Sequence, residues 1–401
     1  MLGTMFHLHH ETARVISRQR IQDRLTCYFE PARSSGRIVE FEGFRGIAAL
    51  MVFWVHFGSL FCHYAGSFGP VVMGPRTLGL SGVDLFFLLS GYLIYAMALR
   101  KEISFLEFVS KRVQRIYPSF LAVFGLYLVL SLVFPQESRI PTGRLEAISY
   151  AAANLLLLPG VFAIHPLVTV TWSLSYQVMV YIAFPVLVWR LTMRNWSPKA
   201  RVVFWASWGL MAVALPTPLL MFAAGPIVHE CRHTPAFRIR WRKLGLALSA
   251  LLMLAPLVGQ TCSLPVPLTS IARFAGYTLL VATVLTNEGC LQSLLRWTPL
   301  RWLGNMSYSF YLMHGVTLLA CRWAMARLLD WTPDAYTLMG LCLTLFLPLA
   351  LLTSAALFHL VERRYSILPR PRPVMRTGWL APVFHGSGAR IAAVAPQGFH
   401  Q

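Results

Sequence analysis

The chain has 401 residues, of which 56% are hydrophobic and only 12% charged, with a formal net charge of +20. A soluble domain carries about a quarter charged residues, so a water-soluble globule is excluded: helices this poor in charge have no polar face to turn to solvent. The basic excess lies in loops beside apolar runs, so it reads as membrane topology and headgroup contact, and no nucleic-acid partner is expected.

In chain order, residues 1–42 form a polar, Arg-rich tail without the pattern of a cleavable signal peptide. Ten apolar segments follow, at 43–62, 78–99, 117–134, 169–191, 202–215, 217–229, 244–259, 268–286, 306–326 and 336–358. Most are long enough to cross a bilayer core. The pair at 202–229 is short, at about 20 Å each, with Pro216 and Pro218 breaking the helix between them. A single kinked span is the competing reading there. A further stretch, 147–164, is ambiguous by hydropathy, and charge decides it. If it does not cross and the N-terminus is inside, the cytoplasmic segments hold 28 of the 35 basic residues. It is therefore expected to be re-entrant or interfacial. Residues 363–401 read as a second cytoplasmic tail, poorly ordered and too short for an extra folded domain. The expectation is an all-α integral membrane protein of about ten transmembrane helices with both termini cytoplasmic. Its domains are a tail at 1–42, a membrane domain at 43–362 and a tail at 363–401. No metal site is expected, since His7, His9 and His10 sit on the loose tail. Cys62 and Cys262 could both lie near the outer face, but scattered cysteines without a CxxC give little ground to expect a disulfide between them.

Ionisable side chains within the bilayer are costly, so each is a functional candidate. Arg45 and His56 lie eleven residues apart, close to three turns, which places both on one helix face about 16 Å apart. By depth arithmetic Asp84, Gln177 and His314 come to middle or outer levels near that of His56. A neutral histidine can take a proton from a hydroxyl, and a carboxylate such as Asp84 can hold its tautomer. Gln177, Ser307, Tyr308 and Tyr311 are candidate donors to a tetrahedral intermediate. Arg45, Arg112 and Arg115, at the cytoplasmic end, suit the phosphates of an anionic donor. The plain alternatives are a hydrogen-bonded helix contact for the histidine and topology signals for the arginines. These residues alone leave enzyme and transporter both open.

The order of the motifs resembles acyltransferase family 3, whose members O-acylate glycans and other acceptors. Arg45-Gly-Ile-Ala-Ala-Leu-Met-Val-Phe-Trp-Val-His56 is similar to its Arg-x10-His signature, and Gly82-Val-Asp-Leu-Phe-Phe-Leu-Leu-Ser-Gly91 to its GVDLFFxxSG stretch. Arg112 and Arg115 match an RxxR element, Trp172-Ser-Leu174 with Tyr181 a WSLxxExxxY helix, and Gly304 to His314 a GxxSYSxYLxH element. Glu362 also fits the pattern, whereas Gln177 stands where the family usually has Glu. The resemblance implies a bacterial inner-membrane O-acyltransferase with acyl-CoA, most often acetyl-CoA, as co-substrate and no bound cofactor. It implies His56 as base with Arg45 and Asp84 in the catalytic set. Arg45, Arg112 and Arg115 hold the donor, and Trp172, Gln177, Ser307, Tyr308, Tyr311, His314 and Glu362 support the site. The acceptor is a glycan or lipid-linked sugar, with membrane lipid around the protein and a separate extracytoplasmic transferase as a possible partner. The alternatives are a transporter or flippase for a lipid-linked sugar, or a non-catalytic member of the family.

Overall fold

The computed structural model describes residues 28–30, 37–61, 69–100, 104–191, 193–211, 217–235, 242–327 and 334–367. His7, His9, His10, Cys62 and most of both tails lie outside these residues, and with them the metal and disulfide readings. Every regular element among the described residues is a helix, apart from one isolated bridge between Pro159 and Phe162.

Each predicted apolar segment coincides with a helix. They are α1 (Val39–Phe61), α2 (Gly69–Arg100), α3 (Phe105–Val133), α5 (Thr171–Arg190), α6 (Pro198–Met211), α7 (Thr217–His233), α8 (Arg242–Cys262), α9 (Val266–Thr286) and α12 (Ser307–Arg327). The tenth is continuous from α13 (Ala335–Leu341) through a π-helical turn and α14 (Leu347–Leu357) into a π-helical end, Phe358–Ile367. Among the described residues, six helices are both long and apolar enough to cross a membrane: 39–61, 81–99, 105–133, 171–189, 266–286 and 336–367. The protein is an integral membrane protein of helices.

Two doubtful regions resolve locally. Between 198 and 233 there are two helices packed against each other, not one kinked rod. The 147–164 stretch yields only α4 (Arg144–Leu155), whose 12 residues extend about 18 Å, too short for a bilayer core. Beyond it the chain turns through Leu157 and Gly160, both at positive φ (57° and 95°). Asn154 holds that loop: its Oδ1 accepts from the Leu167 amide at 2.7 Å, and its Nδ2 donates to the Tyr150 carbonyl at 3.1 Å.

The sequence places acids at the start of α1, where helix amides favour negative charge. The structure adds cations from the segment before α12. There α10 (Cys290–Leu295) and α11 (Thr298–Asn305) pack on the start of α1. Arg296 pairs with Glu40 at 2.7 Å and Arg301 with Glu42 at 3.3 Å, while Arg37 also engages Glu42. Buried carboxylates paired in this way fix the position of α1 and therefore of Arg45. At the start of α3, the Ser104 hydroxyl accepts from the Glu107 amide at 3.2 Å and caps the helix that carries Arg112 and Arg115.

The core lies around α1 and α2. One side of α1 buries Phe53, Phe57 and Phe61 against Phe310 and Phe346, and another buries Phe41, Phe44 and Ala48 against α2 and α9. Helix α2 crosses α7 through glycines, as close helix packing in membranes requires. A methyl added to Gly225 would stand 2.1 Å from the Tyr92 nitrogen, and one on Gly91 2.2 Å from the Phe222 carbonyl oxygen. Gly225→Ala is therefore expected to lower stability by about 1–3 kcal/mol through overpacking. A thermal melt in detergent measures it; an unshifted transition would mean the two helices part freely.

Candidate active site

A cavity of about 150 Å³ opens between α1, α2, α3, α5 and α12. Three arginines face it: Arg45 from α1, and Arg112 and Arg115 from α3, three residues apart and so on one helix face. Arg112 lies over the rings of Phe108 and Tyr181, at 5.1 and 5.0 Å. That arrangement orients a cation without neutralising it. Arg115 pairs with Glu362 at 2.7 Å and lies 5.9 Å from the Tyr308 ring centroid. Glu362 is fully buried. It also accepts from the Ser309 amide at 3.1 Å and from the Ser309 hydroxyl. One carboxylate thus ties the last span, α3 and the first turn of α12 together. Among the described residues, Arg45 and Arg112 have no carboxylate partner.

On the opposite wall, the Gln177 amide meets Ser90 of α2 at 3.2 Å and the Tyr181 hydroxyl one turn along α5. Tyr308 donates its hydroxyl proton to the Ile116 carbonyl at 2.8 Å. This corrects its expected role as a free donor: the proton is already committed to the backbone of α3. Ser307 remains at the cavity wall. Tyr311 exchanges a hydrogen bond with Ser173 at 2.6 Å.

His56 and His314 come together, with ring centroids 5.0 Å apart. His314 is fully buried, with Nδ1 2.8 Å from the Phe310 carbonyl oxygen. A carbonyl only accepts, so Nδ1 carries the hydrogen and Nε2 is left as an acceptor. That Nε2 is buried without a hydrogen-bond partner. It is open to an N–H of His56, which would leave the other nitrogen of His56 as a base.

Asp84 is a correction. Depth arithmetic put it beside His56, but its carboxylate meets Arg273 of α9 at 3.1 Å. The reason is helix register. Gly79 of α2 lies against Met51 and Val55 of α1, and Gly82 against Ala48. Asp84 is therefore level with about Ala48, toward the Arg45 end of α1 and roughly 12 Å along the axis from His56. Trp172 is also outside the cavity: its ring faces Tyr176 at 6.4 Å. Sequence reasoning missed three residues here. Ser90 and Ser173 were legible only as single hydroxyls in apolar motifs. Arg273 was visible as an intramembrane cation, but nothing in the sequence paired it with Asp84.

The sequence profile of an acyltransferase domain, that of acyltransferase family 3, matches residues 38–353. The chain belongs to that family. This acyltransferase is 28% identical over 375 residues to acyltransferase MdmB of Streptomyces mycarofaciens, a match covering 84% of the chain and 94% of that protein. It is 27% identical over 254 residues to the exopolysaccharide production protein ExoZ of Rhizobium meliloti, covering 59% of the chain and 76% of ExoZ. O-acetyltransferase OatA of Staphylococcus aureus matches at 33% over 151 residues, 34% of the chain and 25% of OatA. No solved structure gives a significant match. The matched region holds every candidate residue except Glu362, which lies nine residues past its end.

Proposed function

We propose that this acyltransferase moves an acyl group, acetyl above all, from cytoplasmic acyl-CoA to a sugar hydroxyl of a cell-surface or secreted glycan. In this reading ten helices cross the bacterial inner membrane, residues 43–362 form the catalytic domain, and both termini are cytoplasmic. The supporting observation is the cavity: three guanidinium groups face one small space and, among the described residues, only Arg115 is matched by a carboxylate. Such a surplus suits phosphates, which guanidinium groups bind through paired hydrogen bonds. The names of two relatives, an O-acetyltransferase and an exopolysaccharide production protein, agree with acetyl and glycan.

The chemistry then follows from the histidine pair. His56, its tautomer held by the Nε2 of His314, takes the proton of the acceptor hydroxyl. The acceptor oxygen attacks the thioester carbonyl, and the Ser307 hydroxyl donates to the oxyanion. The intermediate expels the CoA thiolate, and the imidazolium returns the proton to it. The histidine carrying the acyl group in two successive steps is the variant of the same scheme. The acceptor arrives from the outer side or on a lipid carrier, with or without a separate extracytoplasmic transferase. Asp84 serves at a distance by holding α2 to α9 through Arg273.

Acetyl-CoA binding to purified protein tests the donor assignment. Arg45→Ala is expected to weaken it about tenfold or more, the ~1.4 kcal/mol scale of one charged contact. A wild-type protein that binds no acetyl-CoA would remove the assignment and favour a transporter.

Gln177 favours a second reading, a non-catalytic family member. The Ser90 and Tyr181 hydroxyls can turn to donate to a carboxylate, so Gln177→Glu is expected to fold. We expect wild type to be active and the change to alter turnover by less than the ~10²-fold of a lost general acid or base. Activity found only in the variant would establish the silent reading.

A further inference from the structure

The cavity does not reach the histidines. Its lining includes Tyr311, Phe86 and Ser173 but neither His56 nor His314. The Tyr311 ring lies 6.0 Å from the His314 ring on one side and 6.1 Å from the Phe86 ring on another. Its hydroxyl is held at 2.6 Å by Ser173 and lies 3.5 Å from the Val170 carbonyl oxygen. Ser173 is itself anchored, its Oγ donating to the Val170 carbonyl at 3.0 Å. The ring is thus pinned between α12 and the first turn of α5, in the wall of the arginine-lined space and beside His314, on which His56 packs. It is 7% exposed, so little of it is free to yield without breaking that tie.

We infer that Tyr311 is the partition between the donor cavity and His56, and that it sets the size of the acyl group that can pass. The inference rests on the donor reading of the cavity. A pinned aromatic ring leaves a narrow passage, and every methylene added to the acyl chain must find room beside it in a close-packed interior. Acetyl, with a single methyl group beyond the carbonyl, makes the smallest demand. Freeing the hydroxyl loosens the partition, and truncating the ring removes it. Tyr311 acts here by shape and tether, apart from the proton transfers assigned to His56.

Two measurements on the full-length protein test this. The first is independent of turnover. All seven cysteines are replaced, a single cysteine is introduced as His56→Cys, and an anionic methanethiosulfonate is added from the cytoplasmic face of inside-out vesicles. Labelling is expected to rise at least tenfold in Tyr311→Ala and by less in Ser173→Ala, which frees the ring without removing it. Equal rates in the parent and Tyr311→Ala would overturn the partition. A cysteine introduced as Phe53→Cys, on a buried face of α1 turned toward Phe310, monitors general loosening. If it too becomes labelled in Tyr311→Ala, Ser173→Ala decides by the same criterion. The second measurement compares acetyl-, butyryl- and hexanoyl-CoA consumption. The butyryl-to-acetyl ratio is expected to rise at least tenfold in Tyr311→Ala, and an unchanged ratio would overturn the size role. Labelling that responds while wild type consumes no acyl-CoA would overturn the size role through failure of the donor reading, and leave a barrier of another kind. Labelling that does not respond in a protein that consumes acetyl-CoA would overturn the partition alone.

Discussion

His56→Ala is expected to abolish acyl transfer, by about 10²–10⁴-fold for loss of a positioned base, while the protein still inserts. The separation of the two effects follows from the contacts. The His56 ring packs on the His314 ring, with centroids 5.0 Å apart. Among the described residues His56 pairs with no carboxylate, so its removal strands none of their charges in the bilayer. The buried phenylalanines beside it, Phe53 and Phe57, continue to pack against Phe310 and Phe346. The stability loss is accordingly that of an ordinary partly buried side chain, about 1–2 kcal/mol. The decisive measurement is glycan O-acetylation in cells lacking the protein and complemented with wild type or His56→Ala. Ester restored by the mutant would remove His56 from the chemistry. Ester absent even with wild type would point to another acyl group or acceptor. His314→Gln refines the result: its amide can replace the acceptor at Nε2, so it should retain more activity than His314→Ala.

Glu362→Ala is expected to have the largest effect on folding of any single change near the cavity. The carboxylate is fully buried and serves three donors at once: Arg115, the Ser309 amide and the Ser309 hydroxyl. Breaking a buried pair by removing one partner typically destabilises by 3–5 kcal/mol, because the other charge is stranded. The Arg115 side chain is 35% exposed, so water reaches it, and the loss should fall to about 2–3 kcal/mol. Function should suffer separately. With no carboxylate to hold it, Arg115 can swing away from the cavity, and donor affinity should fall even where the protein remains folded. Glu362→Gln divides the two roles. It keeps an acceptor for Ser309 but not the charge for Arg115, so it should recover part of the thermal stability and little of the donor affinity. A Glu362→Gln protein that binds acetyl-CoA as wild type does would show that Arg115 needs no anchor.

Much of the site was legible because membrane sequences mark polar residues by their cost. Arg45, His56, Gln177 and His314 stand alone in apolar runs, and a residue so expensive to bury is seldom idle. The Arg45–His56 spacing gives a shared face on one helix without reference to any other helix. Depth proved a weaker guide. It treats spans as upright rods with known ends, and α1 starts at Val39 and α2 at Gly69 rather than at 43 and 78. The glycine contacts that set the register of α2 on α1 then carried Asp84 away from His56 and toward Arg273. Hydroxyl roles were less visible still. Tyr308 and Tyr311 look alike in sequence, yet one bonds the α3 backbone and the other bonds Ser173.

By itself the sequence determined that this is a helical membrane protein, where its helices lie, and which family of acyltransferases it belongs to. These properties rest on composition, on runs of apolar residues and on motifs contained within single segments, so no partner helix is needed to read them. The tertiary structure alone decided which polar groups meet: Glu362 with Arg115, His56 with His314, Asp84 with Arg273. It also set Tyr311 in the wall of the arginine-lined cavity, with its ring 6.0 Å from that of His314. Those pairings depend on rotation and register between helices distant in the chain. Backbone contacts at glycines such as Gly82 and Gly225 set them, and a glycine in an apolar run does not announce which neighbour it will touch.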